Sequence, residues 1–174
     1  VLATGGSSGL YDNPSLAALA AELWNPKTES WTTLASAAIH RGLHSIALLL
    51  PDGRVLKSGG EYSPRTAQIY SPPYLFQGPR PAMKSAPKSV TYNEEFFVET
   101  PDAGGITEVT LLRLGAVTHD FNQNQRFNRL VFWQVQGGLV VKVPATGAIC
   151  PPGHYMLFIL NDVGVPSVAR IIQI

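Results

Sequence analysis

Short apolar runs separated by turn residues set the pattern of this chain, and most read as β-strands. Val1-Leu2-Ala3-Thr4 ends at Gly5-Gly6, and Val55-Leu56-Lys57-Ser58 ends at Gly59-Gly60, so the two glycine pairs stand 54 positions apart. After each pair a loop leads to a similar strand, Ala21-Glu22-Leu23-Trp24-Asn25-Pro26 in one case and Ala67-Gln68-Ile69-Tyr70-Ser71-Pro72 in the other. The first unit continues with Glu29-Ser30-Trp31 and an apolar strand over 44–50. A glycine pair lets a strand end in a turn without a Cβ clash. The aromatic residues suit packing between neighbouring sheets. Pro51-Asp52-Gly53 predicts a tight hairpin turn. The segment 14–23 carries Ala and Leu at helix-like density, but it reads mainly as a loop entering the strand near Glu22.

A period of about 50 residues with these marks is the signature of kelch repeats, each a four-stranded propeller blade. Pro72, Pro73, Pro79, Pro81 and Pro87 then crowd one stretch, which reads as a domain boundary. Beyond it the marks change to short strands over 89–92, 95–99, 108–113, 129–133, 138–143, 154–161 and 168–174. That spacing suggests an immunoglobulin-like sandwich. The expected fold is therefore all-β: a partial kelch-type propeller over 1–78, then a β-sandwich over 79–174. A closed propeller needs at least about four blades, and about one and a half are recognisable. Open blades leave strand edges and apolar faces uncovered. We therefore expect the remaining blades to come from another chain or segment, or a homo-oligomer to cover the open edge.

Composition narrows the function classes. The 174 residues are 45% apolar and 14% charged, which suits a globular chain with a core. The net charge of +1, with Lys and Arg dispersed, gives no footprint for nucleic acid or acidic lipid. No apolar run approaches the ~20 residues of a membrane span, and no signal peptide is visible. The sequence opens on Val and not Met, so we expect chain upstream or processing. The single cysteine, Cys150, excludes an internal disulfide and reads as a small apolar residue at a strand edge.

The candidate chemistry lies in four histidines, because imidazole is a common ligand for copper and zinc. His44 opens the strand 44–50, His119 sits in a polar loop, His40 precedes His44, and His154 lies in a strand segment. By spacing alone His44 and His119, 75 positions apart, make no metal motif and read as structural residues. No Ser-His-Asp arrangement, phosphate loop or Cys-His zinc spacing is present.

Longer stretches carry a resemblance. The segment 44–60, with Leu48-Leu49-Leu50-Pro51-Asp52-Gly53-Arg54-Val55 inside it, resembles the last kelch segment of galactose oxidase and its glyoxal-oxidase-like relatives, the copper radical oxidases. Positions 67–75 continue the likeness. Val117-Thr118-His119 with Asn124-Gln125-Arg126 is similar to the hallmark loop of that family's C-terminal domain, and Pro152-Gly153-His154-Tyr155-Met156-Leu157-Phe158 and Gly164-Val165-Pro166-Ser167 to its last two strands. The resemblance implies a seven-bladed propeller followed by an early-set immunoglobulin-like domain, whose hairpin loop delivers one copper-binding histidine. His119 matches that position, and His44 matches the histidine of the family's Tyr-His-Ser segment. Asp120 and Arg126, beside His119, are candidates for orienting it from a second layer. His40 and His154 match no ligand. Secretion is implied by the family alone.

The departures bear on activity. The family's Tyr-His-Ser reads Leu43-His44-Ser45 here, so leucine stands where the proton-accepting axial tyrosine belongs. The crosslinked cysteine and tyrosine of the radical centre, the substrate-binding arginine and the stacking tryptophan belong to earlier blades. Trp24 and Trp31 match blade-packing positions, and Trp133 a sandwich position. No residue is therefore assigned as catalytic, and copper held by two imidazoles would be weak. The readings are a C-terminal portion of such an oxidase, not complete by itself, a non-catalytic relative that binds carbohydrate or another protein, and an assembly module of an extracellular complex.

Overall fold

The computed structural model describes residues 1–9, 13–61, 63–119 and 121–174, and among them the fold is all-β. In chain order the strands are β1 (Leu2–Ala3), β2 (Ala20–Asn25), β3 (Ser30–Ser36), β4 (Ser45–Leu49), β5 (Val55–Gly59), β6 (Ala67–Tyr70), β7 (Glu95–Glu99) and β8 (Ile106–Arg113). They continue with β9 (Val117–Thr118), β10 (Phe121–Asn122), β11 (Phe127–Arg129), β12 (Phe132–Val135), β13 (Gly138–Lys142), β14 (His154–Asn161) and β15 (Arg170–Gln173). Only 3₁₀ turns interrupt them, at Pro14–Leu16, Pro73–Phe76 and Ala103–Gly105. No helix among the described residues is long and apolar enough to cross a membrane.

The chain divides into two compact units that do not follow a single cut. One holds Val1–Leu48, Val55–Tyr70 and Val117–Gln123, and the other holds Leu49–Arg54, Ser71–Ala116 and Asn124–Ile174. In the first, β1-β2-β3 form one antiparallel sheet, β4-β5-β6 another, and β9 pairs with β10 in a ribbon. Trp24 and Trp31 face each other across β2 and β3, with ring centres 5.3 Å apart. The segment 14–23 opens with the short 3₁₀ turn, capped by the Asn13 side chain on the Ser15 N–H, before β2 begins.

The second unit is a β-sandwich. Its sheets run β11-β8-β14-β15 and β12-β13-β7. Alternation along the strands sends Val98, Val109, Leu111, Leu139, Val141, Tyr155, Leu157, Ile159 and Ile172 into one core. Each such fully buried aliphatic side chain contributes on the order of 1.5–3 kcal/mol. The other face of β14 is apolar too: Met156, Phe158 and Ala169 are buried, with Leu49, Leu112 and Leu160 packed on them. That is why the sequence of β14 reads as an unbroken apolar run.

Several expected elements shift. Positions 89–92 form no strand: Ser89 makes one parallel bridge to Gln173, and the Val90 N–H donates to the Gln173 carbonyl. The expected strand over 129–133 is two strands in different sheets, β11 pairing with β8 and β12 with β13. Of this run only Leu130, between the two strands, is buried, and an apolar run does not by itself reveal a crossing between sheets. Cys150 lies in a turn, not at a strand edge, where it is fully buried and its carbonyl accepts from the Tyr92 hydroxyl at 2.8 Å. Burial pushes its thiol pKa up. His154 begins β14, as its place in a strand segment leads one to expect, with an exposed side chain.

Candidate metal centre

The loop before β4 is gripped from several sides. Arg41 is 1% exposed, and its guanidinium donates to the Gly59 carbonyl at 2.6 Å, the Thr66 carbonyl at 2.8 Å and the Thr66 hydroxyl at 2.9 Å. A charge taken out of water needs such a set of acceptors. The carbonyl of Arg41 in turn accepts from the Gly6 N–H at 2.9 Å and the Ser45 hydroxyl at 3.4 Å.

This grip bears on His44. The residue does not open the strand but stands just before β4 in a left-handed turn, with φ of 61°. The Gly60 N–H donates to the His44 carbonyl at 3.2 Å, and the Glu61 N–H to the Leu43 carbonyl at 3.0 Å. Gly59, itself at φ of 76°, lies so close that a Cβ there would stand 2.7 Å from the His44 oxygen. The second glycine pair of the repeat thus lets the backbone approach the histidine turn.

His119 is held by a different device. Thr118 pairs with Phe121 across the ribbon, and His119, next to Thr118, has a φ of 51°. Only four non-glycine residues among those described have positive φ, and His44 and His119 are two of them. Such conformations cost on the order of 1–3 kcal/mol each and collect at functional sites.

The two rings meet. Their centres are 4.9 Å apart, edge to face, at an interplanar angle of 89°. Each Nδ1 is turned to a protein oxygen: that of His119 lies 2.8 Å from the Thr118 hydroxyl, and that of His44 lies 3.9 Å from the Glu61 carboxylate. Among the described residues no hydrogen bond engages either Nε2. An imidazole bound at about 2.0 Å has its ring centre about 3 Å from the metal, so rings in adjacent positions stand about 4.5–5 Å apart. The observed separation fits two adjacent donors on one ion. It fits no more than two, because no group of three or more His, Cys, Asp or Glu side chains gathers among the described residues. Leu43 offers no lone pair, and its side chain is 42% exposed.

The remaining candidates lie elsewhere or outside the description. Asp120 lies outside the described residues. Arg126 falls in the second unit with an exposed side chain, and its carbonyl accepts from the Arg113 N–H at 3.1 Å. The His40 carbonyl accepts from the Ser63 hydroxyl at 2.5 Å. Sequence reasoning missed Glu61, Thr118 and Arg41. Glu61 directly follows the glycine pair and Thr118 directly precedes His119, so position along the chain was the available signal.

The second unit carries a separate apolar groove of about 270 Å³ on the outer face of β8 and β14, lined by Leu49, Leu112, Phe158 and Leu160 among others. At its edge Arg129 pairs with Glu108 at 2.6 Å and lies 4.8 Å from the Phe127 ring centre. No histidine or cysteine is among the residues that line the groove.

Residues 80–174 match the family described as galactose oxidase-like, early set domain. A galactose oxidase of Gibberella zeae is 32% identical over 98% of this chain and 27% of its own length. An aldehyde oxidase of Vitis pseudoreticulata is 36% identical over 82% of this chain and 31% of its own. A fungal alcohol oxidase of the AA5 family, solved in complex with copper, superposes with a TM-score of 0.91 at 29% identity, covering 99% of this chain and 39% of that one. The chain therefore spans about a third or less of the curated relatives it matches.

Proposed function

The chain belongs to the galactose oxidase-like family through its early set domain, and on that premise we propose that it forms the C-terminal part of a copper radical oxidase assembly, contributing His44 and His119 as two imidazole donors without completing the reaction alone. The observation that carries this reading is the edge-to-face pair, two rings 4.9 Å apart on two left-handed residues. Copper bound there would supply a one-electron redox centre and a Lewis acid. The chain's own part is to hold two neutral nitrogen donors in fixed orientation. Leu43 takes no proton and donates no electron pair, so in this reading the proton acceptor and the second redox centre of the reaction belong to the remaining blades.

The same proposal gives the first unit its meaning. The sheets β1-β2-β3 and β4-β5-β6 are read as parts of kelch-type blades, one strand short of the usual four each. Positions 1–78 are read as propeller and 79–174 as sandwich. Their partners are the remaining blades, from another segment or chain or from a second copy covering the open edge. An extracellular location belongs to this proposal as well.

A second reading, a non-catalytic module that binds carbohydrate or another protein, is favoured by Leu43 in place of the axial tyrosine. One assay bears on both readings. The copper-loaded chain is incubated with galactose, other primary alcohols and aldehydes under O₂ while H₂O₂ is measured. We expect no peroxide above the copper-only control. Turnover abolished by His44→Ala would show that the chain is complete without further blades.

A further inference from the structure

We propose that Glu61 is a positioning residue for His44, selecting the ring tautomer that presents Nε2 as a lone-pair donor. The proposal rests on the reading of His44 and His119 as metal donors, and adds how the first of them is prepared.

The tripeptide Gly59-Gly60-Glu61 reaches the histidine turn. Three contacts from it converge on Leu43 and His44: the Gly60 N–H to the His44 carbonyl at 3.2 Å, the Glu61 N–H to the Leu43 carbonyl at 3.0 Å, and the Glu61 carboxylate 3.9 Å from His44 Nδ1. The first two fix the backbone of the left-handed turn. The third acts on the ring. A neutral imidazole carries its proton on one nitrogen only, and an ionised carboxylate can only accept. The carboxylate beside Nδ1 therefore favours the tautomer with the proton on Nδ1, which leaves the lone pair on Nε2. A carboxylate behind a metal-binding histidine does this work in many sites, and its loss typically costs about 10–100-fold in metal affinity. At 3.9 Å the contact is longer than a hydrogen bond, and the side chains of His44 and Glu61 are 50% and 48% exposed, so water screens it. We expect a smaller effect than that range here, about 3–10-fold.

Thr118 cannot play the same selective part at His119. Its hydroxyl, 2.8 Å from Nδ1, can donate or accept and so tolerates both tautomers. Among the described residues the two histidines are thus unequal: an anion faces His44 Nδ1, and a hydroxyl faces His119 Nδ1.

The test has a metal-free arm and a metal arm. In the first, long-range ¹⁵N–¹H correlation on the metal-free chain reads the tautomer of His44 at a pH where its ring is neutral. Wild type is expected to be mainly Nδ1–H, and Glu61→Gln to shift towards Nε2–H, with Glu61→Asp restoring the wild-type state. In the second, competition with a chelator gives the Cu(II) affinity, expected to fall about 3–10-fold in Glu61→Gln and to recover in Glu61→Asp. A His44 that is mainly Nε2–H in the wild type, or a tautomer unchanged in Glu61→Gln, overturns the proposal. A tautomer that shifts as expected in a chain that binds no copper supports the positioning role while removing the copper reading beneath it.

Discussion

Gly59→Ala tests how the glycine pair serves the histidine turn, and Gly6→Ala supplies its control. Both glycines have positive φ, 76° and 92°, so both substitutions meet the left-handed penalty of about 1–2 kcal/mol. They differ in space. A Cβ at Gly6 meets nothing within 4 Å, whereas a Cβ at Gly59 would lie 2.7 Å from the His44 carbonyl oxygen and 3.3 Å from Ser45 Cα. Backbone cannot swing aside as a flexible side chain can, so relief requires moving the turn itself. Overpacking of this kind adds on the order of 1–3 kcal/mol. We expect Gly6→Ala to destabilise the first unit by about 1–2 kcal/mol and Gly59→Ala by about 3–4 kcal/mol. With a urea dependence of ~1–3 kcal/mol per M, the midpoints should differ by about 1 M. The assay is urea unfolding followed by tryptophan fluorescence in a Trp133→Phe background, where the remaining Trp24 and Trp31 both report on the first unit. Equal midpoint shifts for the two variants would refute the close-approach argument and leave only the common backbone cost.

Other consequences follow from the same contacts. Arg41→Met removes three hydrogen bonds and leaves the Gly59 and Thr66 carbonyls short of a donor, so we expect a loss of about 3 kcal/mol or more by urea unfolding, partly restored in Arg41→Lys. An Arg41→Met chain as stable as wild type would contradict this. The Arg54 guanidinium hydrogen-bonds Asp52 at 2.7 Å and holds its carboxyl below the usual value. A depressed folded pKa gives stability that is present above the unfolded value and lost as pH falls through the folded one. Both side chains are partly exposed, so Arg54→Gln should cost under about 1 kcal/mol near neutrality. That difference should close as the pH drops below about 4, read as thermal midpoint against pH; a gap that widens in acid would contradict the pairing.

The strand pattern was largely legible because burial alternates along strands and glycine pairs end them. β7 and β14 fall where the periodicity places them. The run at 129–133 was misread because Leu130 and Val131, at the sheet crossing, are as apolar as Phe132 and Trp133 beyond it. Positions 89–92 were misread because an edge segment making one bridge has the same composition as a short strand. The site was legible only in part. His44 and His119 stand 75 positions apart, and spacing carried no sign that a ribbon turn and a pre-strand turn bring their rings to 4.9 Å. The family resemblance selected them, and the structure adds the left-handed backbone at both. Position after the glycine pair was the signal for Glu61, whereas Arg41 gave none, because its role depends on reaching across to Gly59 and Thr66. A charged residue in a sequence does not announce that it is buried.

The central claim, that His44 and His119 are two donors to one copper ion, is tested most directly by electron paramagnetic resonance of the chain titrated with one equivalent of Cu(II). We expect a type-2 signal with splitting from two imidazole nitrogens, reduced to one in His44→Ala or His119→Ala and lost in the double variant. A chain giving no type-2 signal, or a signal unchanged in the double variant, would contradict it.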